Sequence, residues 1–87
     1  MPRLTDLTFE AGRIWFSWQP DREEDFDTDL QFVKDELKEQ GRRWSPERKQ
    51  WSVVNDDEGT KALALVFSNG ADMVAMVRRQ MDLFTRG

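Results

Sequence analysis

The sequence predicts a small two-layer α+β domain of order ββαββα, in which helices cover one face of an antiparallel or mixed sheet. Two separate stretches alternate apolar and polar residues as strands do, and two others repeat apolar residues at the helical period. A sheet with one apolar face needs helices to cover it, which gives the two layers. Because 87 residues are too few to enclose a second core, residues 1–87 are predicted to form a single domain.

The first predicted element is a β-hairpin between Leu7 and Trp18, with the Ala11-Gly12 pair at its turn. Glycine suits a tight turn because it adopts positive φ without a steric cost. The apolar residues on the two sides of the turn share one face, and they are Leu7, Phe9, Ile14, Phe16 and Trp18. Trp15 must then point to the face of the sheet opposite to Phe16.

A helix is predicted from Thr28 to Gln40, after an acidic connection that follows Pro20. The apolar residues of this region recur at the helical period, and they are Phe26, Leu30, Val33 and Leu37. Thr28 and Gln31 have the spacing of a capping box, and Gly41 suits the left-handed residue that follows a helix.

A second hairpin is predicted over residues 42–54, around a turn that contains a proline. Its loop is either the two residues 47–48 or the four residues 46–49. In both cases the symmetric register places Trp44 opposite Trp51, so the two indoles share one face of the sheet.

The last helical region is predicted in two pieces. The polar residues 55–59 form a candidate helix cap, and the apolar run of residues 60–67 suits either a buried helix or a buried strand. Its alanines and leucines favour the helix. The final helix is predicted from Ala71 to Phe84, with an apolar stripe of Met73, Val74, Val77, Met81 and Phe84.

The composition excludes several classes of chemistry. The chain has no cysteine and no histidine, so it lacks the groups for a disulfide framework, a thiolate zinc site, a cysteine nucleophile or serine–histidine catalysis. A domain of this size also has little room for a deep active-site cleft. We therefore expect a protein that is not an enzyme and that needs no metal or cofactor.

Charge and hydropathy predict a soluble, cytoplasmic chain. The formal net charge is −4, and charged residues make up 34% of the sequence. No stretch approaches the roughly 18 apolar residues of a membrane helix, and the first residues do not resemble an export signal. The negative net charge gives no overall attraction to nucleic acid, so any such binding must come from a local surface.

One acidic pattern resembles a calcium-binding loop. Carboxylates fall at positions 1, 3, 5 and 12 of the loop, at Asp25, Asp27, Asp29 and Glu36. Position 6 needs a glycine for the sharp bend, and Leu30 stands there. A helix start explains the same residues without an exception, so we predict no metal site.

The second hairpin is the strongest candidate for a binding surface. Residues 42–51 contain four basic residues and one acidic residue, a local charge of +3 in an acidic chain. Bases stack on indoles at about 1–3 kcal/mol each, while basic side chains neutralise the neighbouring phosphates. The predicted contacts to single-stranded nucleic acid are Arg42, Arg43, Trp44, Arg48, Lys49 and Trp51. Alternatively, the two tryptophans pack as core beneath a helix and the arginines keep the edge soluble.

Residues 43–51 read Arg-Trp-Ser-Pro-Glu-Arg-Lys-Gln-Trp, the pattern R-W-x-P-x-x-K-x-W after a helix and Gly41. This hairpin resembles the small accessory domain of annealing helicases, often called the HARP domain, and similar hairpins that precede helicase modules in some bacterial and phage proteins. The resemblance covers residues 14–53 in order, and it implies that the six hairpin residues named above engage branched or single-stranded DNA beside a motor. The chain departs from those proteins because it contains no motor and because its acidic residues 21–29 would repel a nearby phosphate backbone.

A protein-interaction module, in the form of a homodimer or a complex with another protein, is the alternative. The last helix carries apolar residues with the spacing of a heptad seam at Val74, Val77, Met81 and Phe84, and Met73 and Met76 add adaptable apolar surface. The candidate contacts are Trp15, Met73, Val74, Val77, Met81 and Phe84, together with the acidic loop. We favour the simpler interpretation that this stripe covers the sheet.

Overall fold

The computed structural model describes the backbone of residues 1–86 and the side chains of residues 1–83. Within these residues, four strands form one antiparallel sheet of order β1-β2-β4-β3. The strands are β1 (Arg3–Glu10), β2 (Arg13–Gln19), β3 (Arg43–Ser45) and β4 (Gln50–Val54). The α-helices of the same residues are α1 (Phe26–Glu36), α2 (Asp57–Val66) and α3 (Gly70–Arg86). The predicted α+β class and the ββαββα order, with its last helical region in two pieces, are confirmed.

The core lies between the sheet and the three helices. Its buried residues come from every helix and from the three longer strands, and they include Leu4, Leu7, Ile14, Phe16, Val33, Leu37, Val53, Leu63, Val66 and Val74. The Phe16 ring meets Phe67 edge-on, with ring centroids 5.6 Å apart. We call this covered face the helix side of the sheet. The opposite face, which carries Trp15, Arg43 and Ser52, is called the open face.

The first hairpin contains a bulge that the alternation of the sequence does not reveal. The register shifts between the pairs Leu4–Trp18 and Asp6–Ser17. Thr5 is therefore an extra residue in β1, and Leu4 and Leu7 are both buried although they are three residues apart. The strand β1 begins at Arg3, before the predicted start of the hairpin at Leu7. The prediction missed these first residues because the bulge interrupts the alternation of apolar and polar residues.

The two hairpin turns follow from the residues that form them. Ala11 and Gly12 have φ angles of 55° and 72°, and positive φ at both positions is what a type I′ turn requires. The second hairpin has the four-residue loop, in which Lys49 also has positive φ, at 55°. The N–H of Arg48 donates to the hydroxyl of Ser45 at 3.2 Å and so closes this loop.

The start of α1 differs from the prediction. The helix begins at Phe26 and not at Thr28, because a 3-10 turn over Glu23–Asp25 leads directly into it. The residue at its N-cap makes no side-chain capping bond, so the predicted capping box of Thr28 and Gln31 is wrong. The acidic residues of the first turn still lie where the helix dipole favours negative charge.

The α-helix α1 ends at Glu36, before the predicted end at Gln40, whereas the predicted roles of Gly41 and of the cap in residues 55–59 agree with the structure. A 3-10 turn over Lys38–Gln40 follows α1 and ends at Gly41, whose φ of 69° is the predicted left-handed conformation. The apolar run after residue 60 is helical, as chosen over a strand. Asp56 caps this helix, because its carboxylate accepts a 2.7 Å hydrogen bond from the N–H of Gly59.

Candidate binding groove

An open groove on the helix side of the sheet brings together aromatic residues that are distant in sequence. It has a volume of about 490 Å³ and is lined by Phe16, Ser17, Trp18, Phe26, Leu30, Trp44, Lys49 and Trp51. We call it the aromatic groove. The sheet order creates it, because β2 lies next to β4 while β3 forms the edge, and α1 passes over the same end of the sheet.

Trp18 and Phe26 form one aromatic pair of the groove. Their rings stack with centroids 5.9 Å apart and planes inclined by 9°. Trp18 is half-buried against the core, whereas Phe26, the first residue of α1, is 48% exposed. This pair therefore offers a flat apolar surface that solvent reaches from the α1 side.

Trp44 and Trp51 form the second pair, and their predicted cross-strand pairing is confirmed. The ring centroids are 5.2 Å apart, and the planes are tilted by 57°. Trp51 packs against the core, while Trp44 stays 50% exposed. The two tryptophans are thus on the helix side, as a core interpretation requires, but one of them keeps half of its surface in water.

Two cations lie beside this second pair. Lys49 lines the groove itself, and the guanidinium carbon of Arg42 lies 6.0 Å from the centroid of the Trp51 ring. Among the described side chains, neither cation forms an ion pair with a carboxylate. Both charges can therefore act on a ligand that occupies the groove.

The other two predicted cations point to the open face. Arg43 pairs with Ser52, and it alternates with a groove tryptophan in β3. Arg48 lies 4.1 Å from the centroid of Trp15, and its Nη2 is 3.0 Å from the Glu10 carboxylate. Trp15 is half-buried on the open face, which confirms its predicted orientation, and its indole N–H donates to the Glu10 carbonyl at 3.1 Å. The six hairpin residues are thus divided between two faces.

Acidic residues border the groove where Phe26 lines it. A neighbouring depression of about 810 Å³ shares Phe26 and is also lined by Glu23 and Glu24. Both carboxylates are exposed. A phosphate close to them would be repelled, whereas one beside Lys49 would be attracted.

The apolar stripe of α3, a candidate contact for a protein partner, packs largely against the core of the domain itself. Val74 is buried, and Met73 and Val77 pack against the core. The favoured interpretation, that this stripe covers the sheet, is confirmed for these three residues. Met81 is 46% exposed, and the side chain of Phe84 lies outside the described residues.

One of the acidic residues that resemble a calcium loop has a contact within the chain. The Asp29 carboxylate accepts a 3.3 Å hydrogen bond from the N–H of Asp21. In the part of the chain that the structure describes, no three side chains of the ligand types are grouped so that they could hold a metal ion. Across the same residues, every helix is too short or too polar to cross a membrane.

The sequence alone did not identify several residues of these two surfaces, among them the following four. Trp18, Phe26 and Leu30 line the groove, and Arg13 lies on the open face beside Arg43. Their periodicity indicated a core face for the first three, but only the sheet order shows that they meet the second hairpin. No signal in the sequence pointed to Arg13.

Comparison of the chain with known proteins identifies no family. No family model, no curated protein and no solved structure matches it. The resemblance of residues 43–51 to the HARP domain therefore remains a prediction from a nine-residue motif.

Proposed function

We propose that this domain is a non-enzymatic module that binds single-stranded nucleic acid, or the single-stranded part of a branched DNA, by stacking bases in the aromatic groove. The observation that carries the proposal is the half-exposed ring of Trp44, which contacts Trp51 at a centroid distance of 5.2 Å. A ring fixed by a neighbouring ring is an ordered platform, so little further entropy is lost when a base stacks on it.

The charges beside the groove support the same ligand. Lys49 and Arg42 lie next to the tryptophan pair and have no carboxylate partner among the described side chains. They would neutralise phosphates on either side of a stacked base. Since the whole chain has a net charge of −4, we expect weak binding over a short contact, with a salt dependence that is modest because few phosphates are neutralised.

Fluorescence titration tests the proposal. A fluorescein-labelled single-stranded oligonucleotide is titrated with the protein at about 50 and about 200 mM salt, while tryptophan quenching is followed in parallel. The expected result is salt-sensitive binding. Trp44→Ala should weaken it by about 5- to 150-fold, which corresponds to the roughly 1–3 kcal/mol of one base stack. Lys49→Ala should weaken binding at low salt and reduce the salt slope.

Matched variants control for general effects on the fold. Phe32→Ala removes a 38% exposed aromatic residue of α1 that does not line the groove, and Lys61→Ala removes an exposed lysine of α2. Both should bind as the unchanged chain does. Absence of binding at low salt, or equal losses in Phe32→Ala and Trp44→Ala, would refute stacking in the groove.

A protein partner on α3 is less well supported. Three of the six residues assigned to it already pack against the core, and they are Met73, Val74 and Val77. Light scattering over a range of concentrations separates the two proposals. A mass that rises with concentration, together with no oligonucleotide binding, would favour a homodimer over the nucleic-acid module.

A further inference from the structure

Arg13 is held in one position on the open face of the sheet. Its Nε donates to the Ser52 hydroxyl at 2.8 Å, and its Nη2 donates to the Ser52 carbonyl at 3.2 Å and to the Gly41 carbonyl. Ser52 is fully buried beneath this contact. The guanidinium therefore reaches from β2 across β4 towards the edge of the sheet, and Nη1 has no acceptor among the described residues.

Arg43 lies beside Arg13 on the same face. It pairs with Ser52, the residue that Arg13 contacts, and its side chain is exposed. Burial lowers the pKa of Arg13 from its ordinary value, and the positive charge of Arg43 lowers it further. The Arg13 guanidinium nevertheless stays charged near neutral pH, because arginine in proteins is not deprotonated there.

No carboxylate balances these two charges among the described side chains. Glu10 pairs with Arg13 across the first hairpin and is the nearest candidate by register. Its carboxylate instead binds Arg48, with a separation of 3.0 Å. The Glu10 carboxylate is therefore bound by the turn of the second hairpin, while the Arg13 guanidinium extends the other way, to Ser52 and Gly41.

We propose that Arg13 and Arg43 form a phosphate-binding site on the open face, which takes a phosphodiester of the strand whose bases stack in the aromatic groove. In this respect the inference rests on the proposed function. An anion between the Arg13 guanidinium, which is held by Ser52 and Gly41, and the exposed Arg43 guanidinium receives charge-assisted hydrogen bonds and relieves their mutual repulsion. Arg43 and Trp44 are consecutive in the edge strand β3 and point to opposite faces, so a strand that passes around this edge meets both.

The test uses two probes that carry no base. Inorganic phosphate is titrated against chloride at matched ionic strength, and an abasic oligonucleotide supplies the phosphodiester backbone. Binding is followed through the arginine Nε–H resonances in ¹⁵N-correlated NMR spectra. We expect millimolar-range phosphate binding that shifts the Arg13 Nε–H, with loss of about ten-fold in affinity for both probes in Arg43→Gln. Arg43→Lys should recover only part of the lost affinity, because lysine lacks the planar, forked donors of the guanidinium group. Arg79→Gln, an exposed arginine of α3, is the matched control.

The outcomes separate this inference from the proposed function. One outcome supports the inference that a single strand contacts both the aromatic groove and the two arginines. In that outcome phosphate and the abasic oligonucleotide bind, and Arg43→Gln lowers the affinity for both of them and for the ordinary oligonucleotide. If phosphate binds but no oligonucleotide does, the phosphate site at Arg13 and Arg43 is supported, and the inference that a strand contacts both this site and the groove is refuted. If the oligonucleotide binds through Trp44 while phosphate does not shift Arg13 and Arg43→Gln is neutral, this inference is wrong and the proposed function remains. Arg43 carries the test because Arg13→Gln also removes the hydrogen bonds to Ser52 and Gly41.

Discussion

The guanidinium of Arg48 lies 4.1 Å from the centre of the Trp15 ring, on the face of the sheet opposite to the aromatic groove. The same group contacts the Glu10 carboxylate at 3.0 Å. These contacts connect the turn of the second hairpin to the first hairpin, although β3 and β1 lie at opposite edges of the sheet. Arg48 therefore has a structural partner, while the next residue, Lys49, faces the groove.

We expect Arg48→Ala to change stability more than binding. The variant loses one cation–π contact and one largely exposed ion pair, which together contribute about 1 kcal/mol to the free energy of unfolding. Its affinity for a single-stranded oligonucleotide should stay within about two-fold, because the Arg48 charge is already paired with the Glu10 carboxylate. Urea denaturation and fluorescence titration measure the two quantities. Lys49→Ala is the matched variant, and it should lower affinity with little effect on stability. An equal loss of affinity in the two variants would contradict the assignment of Arg48 to a structural role and of Lys49 to ligand binding.

Removal of the acids beside Phe26 should strengthen nucleic-acid binding. In the double variant Glu23→Gln/Glu24→Gln, a bound phosphate no longer meets two exposed negative charges at the border of the groove. At low salt we expect the affinity to rise by about three- to ten-fold, and the gain should shrink above physiological salt, where the Debye length falls below about 8 Å. Asp82→Asn alters an exposed acid at the Phe9 end of the molecule and serves as the control. An equal gain per removed charge in that control would show that only net charge matters.

The features of the fold that depend on local sequence pattern could be predicted from the sequence alone. Alternation identified the core-facing residues of the first hairpin from Leu7 onwards but not Leu4 beyond the bulge, and the symmetric register of the second hairpin paired Trp44 with Trp51. The positive φ of Gly12 and Gly41 also follows from local chemistry. Each of these features depends on neighbours within a few residues, which a single sequence displays directly.

The composition of the groove could not be predicted in the same way. It depends on the antiparallel pairing of β2 with β4 and on the position at which α1 starts, and neither is a local property. The predicted start at Thr28 left Phe26 outside the helix, so its stack on Trp18 was not foreseen. The division of the cations had a local signal, because neighbours in a strand alternate, but Arg48 lies in the turn where alternation does not apply.

Two glycines should differ sharply in their tolerance of a side chain. A Cβ atom on Gly59 would lie 2.1 Å from the Val54 carbonyl oxygen, so the backbone itself must move. Gly59→Ala should therefore destabilise the fold by about 3 kcal/mol or more. Gly12 has open space around it but a φ of 72°, and Gly12→Ala should cost about 1 kcal/mol. Urea denaturation of both variants tests the difference, and similar midpoints would show that the close approach at Gly59 is not rigid.

Phe26 should contribute to ligand binding more than to stability. Its ring is 48% exposed and stacks on Trp18 at 5.9 Å, so Phe26→Ala removes one surface of the groove while the core behind it stays intact. We expect a loss of about five-fold or more in affinity for a single-stranded oligonucleotide and a cost of about 1 kcal/mol in unfolding free energy. Trp18 becomes more exposed, so its fluorescence emission should shift to longer wavelength.

Two comparisons make the Phe26 experiment decisive. Phe26→Leu keeps an apolar side chain but not a flat ring, so it should restore stability without restoring affinity. Phe32→Ala removes a ring of similar exposure from the same helix and should leave affinity unchanged, because Phe32 does not line the groove. If Phe26→Leu binds as tightly as the unchanged chain, the groove recognises apolar surface and not stacked bases. In that case an apolar side chain of a protein partner would fit the site better than nucleic acid, because apolar burial does not require a flat ring.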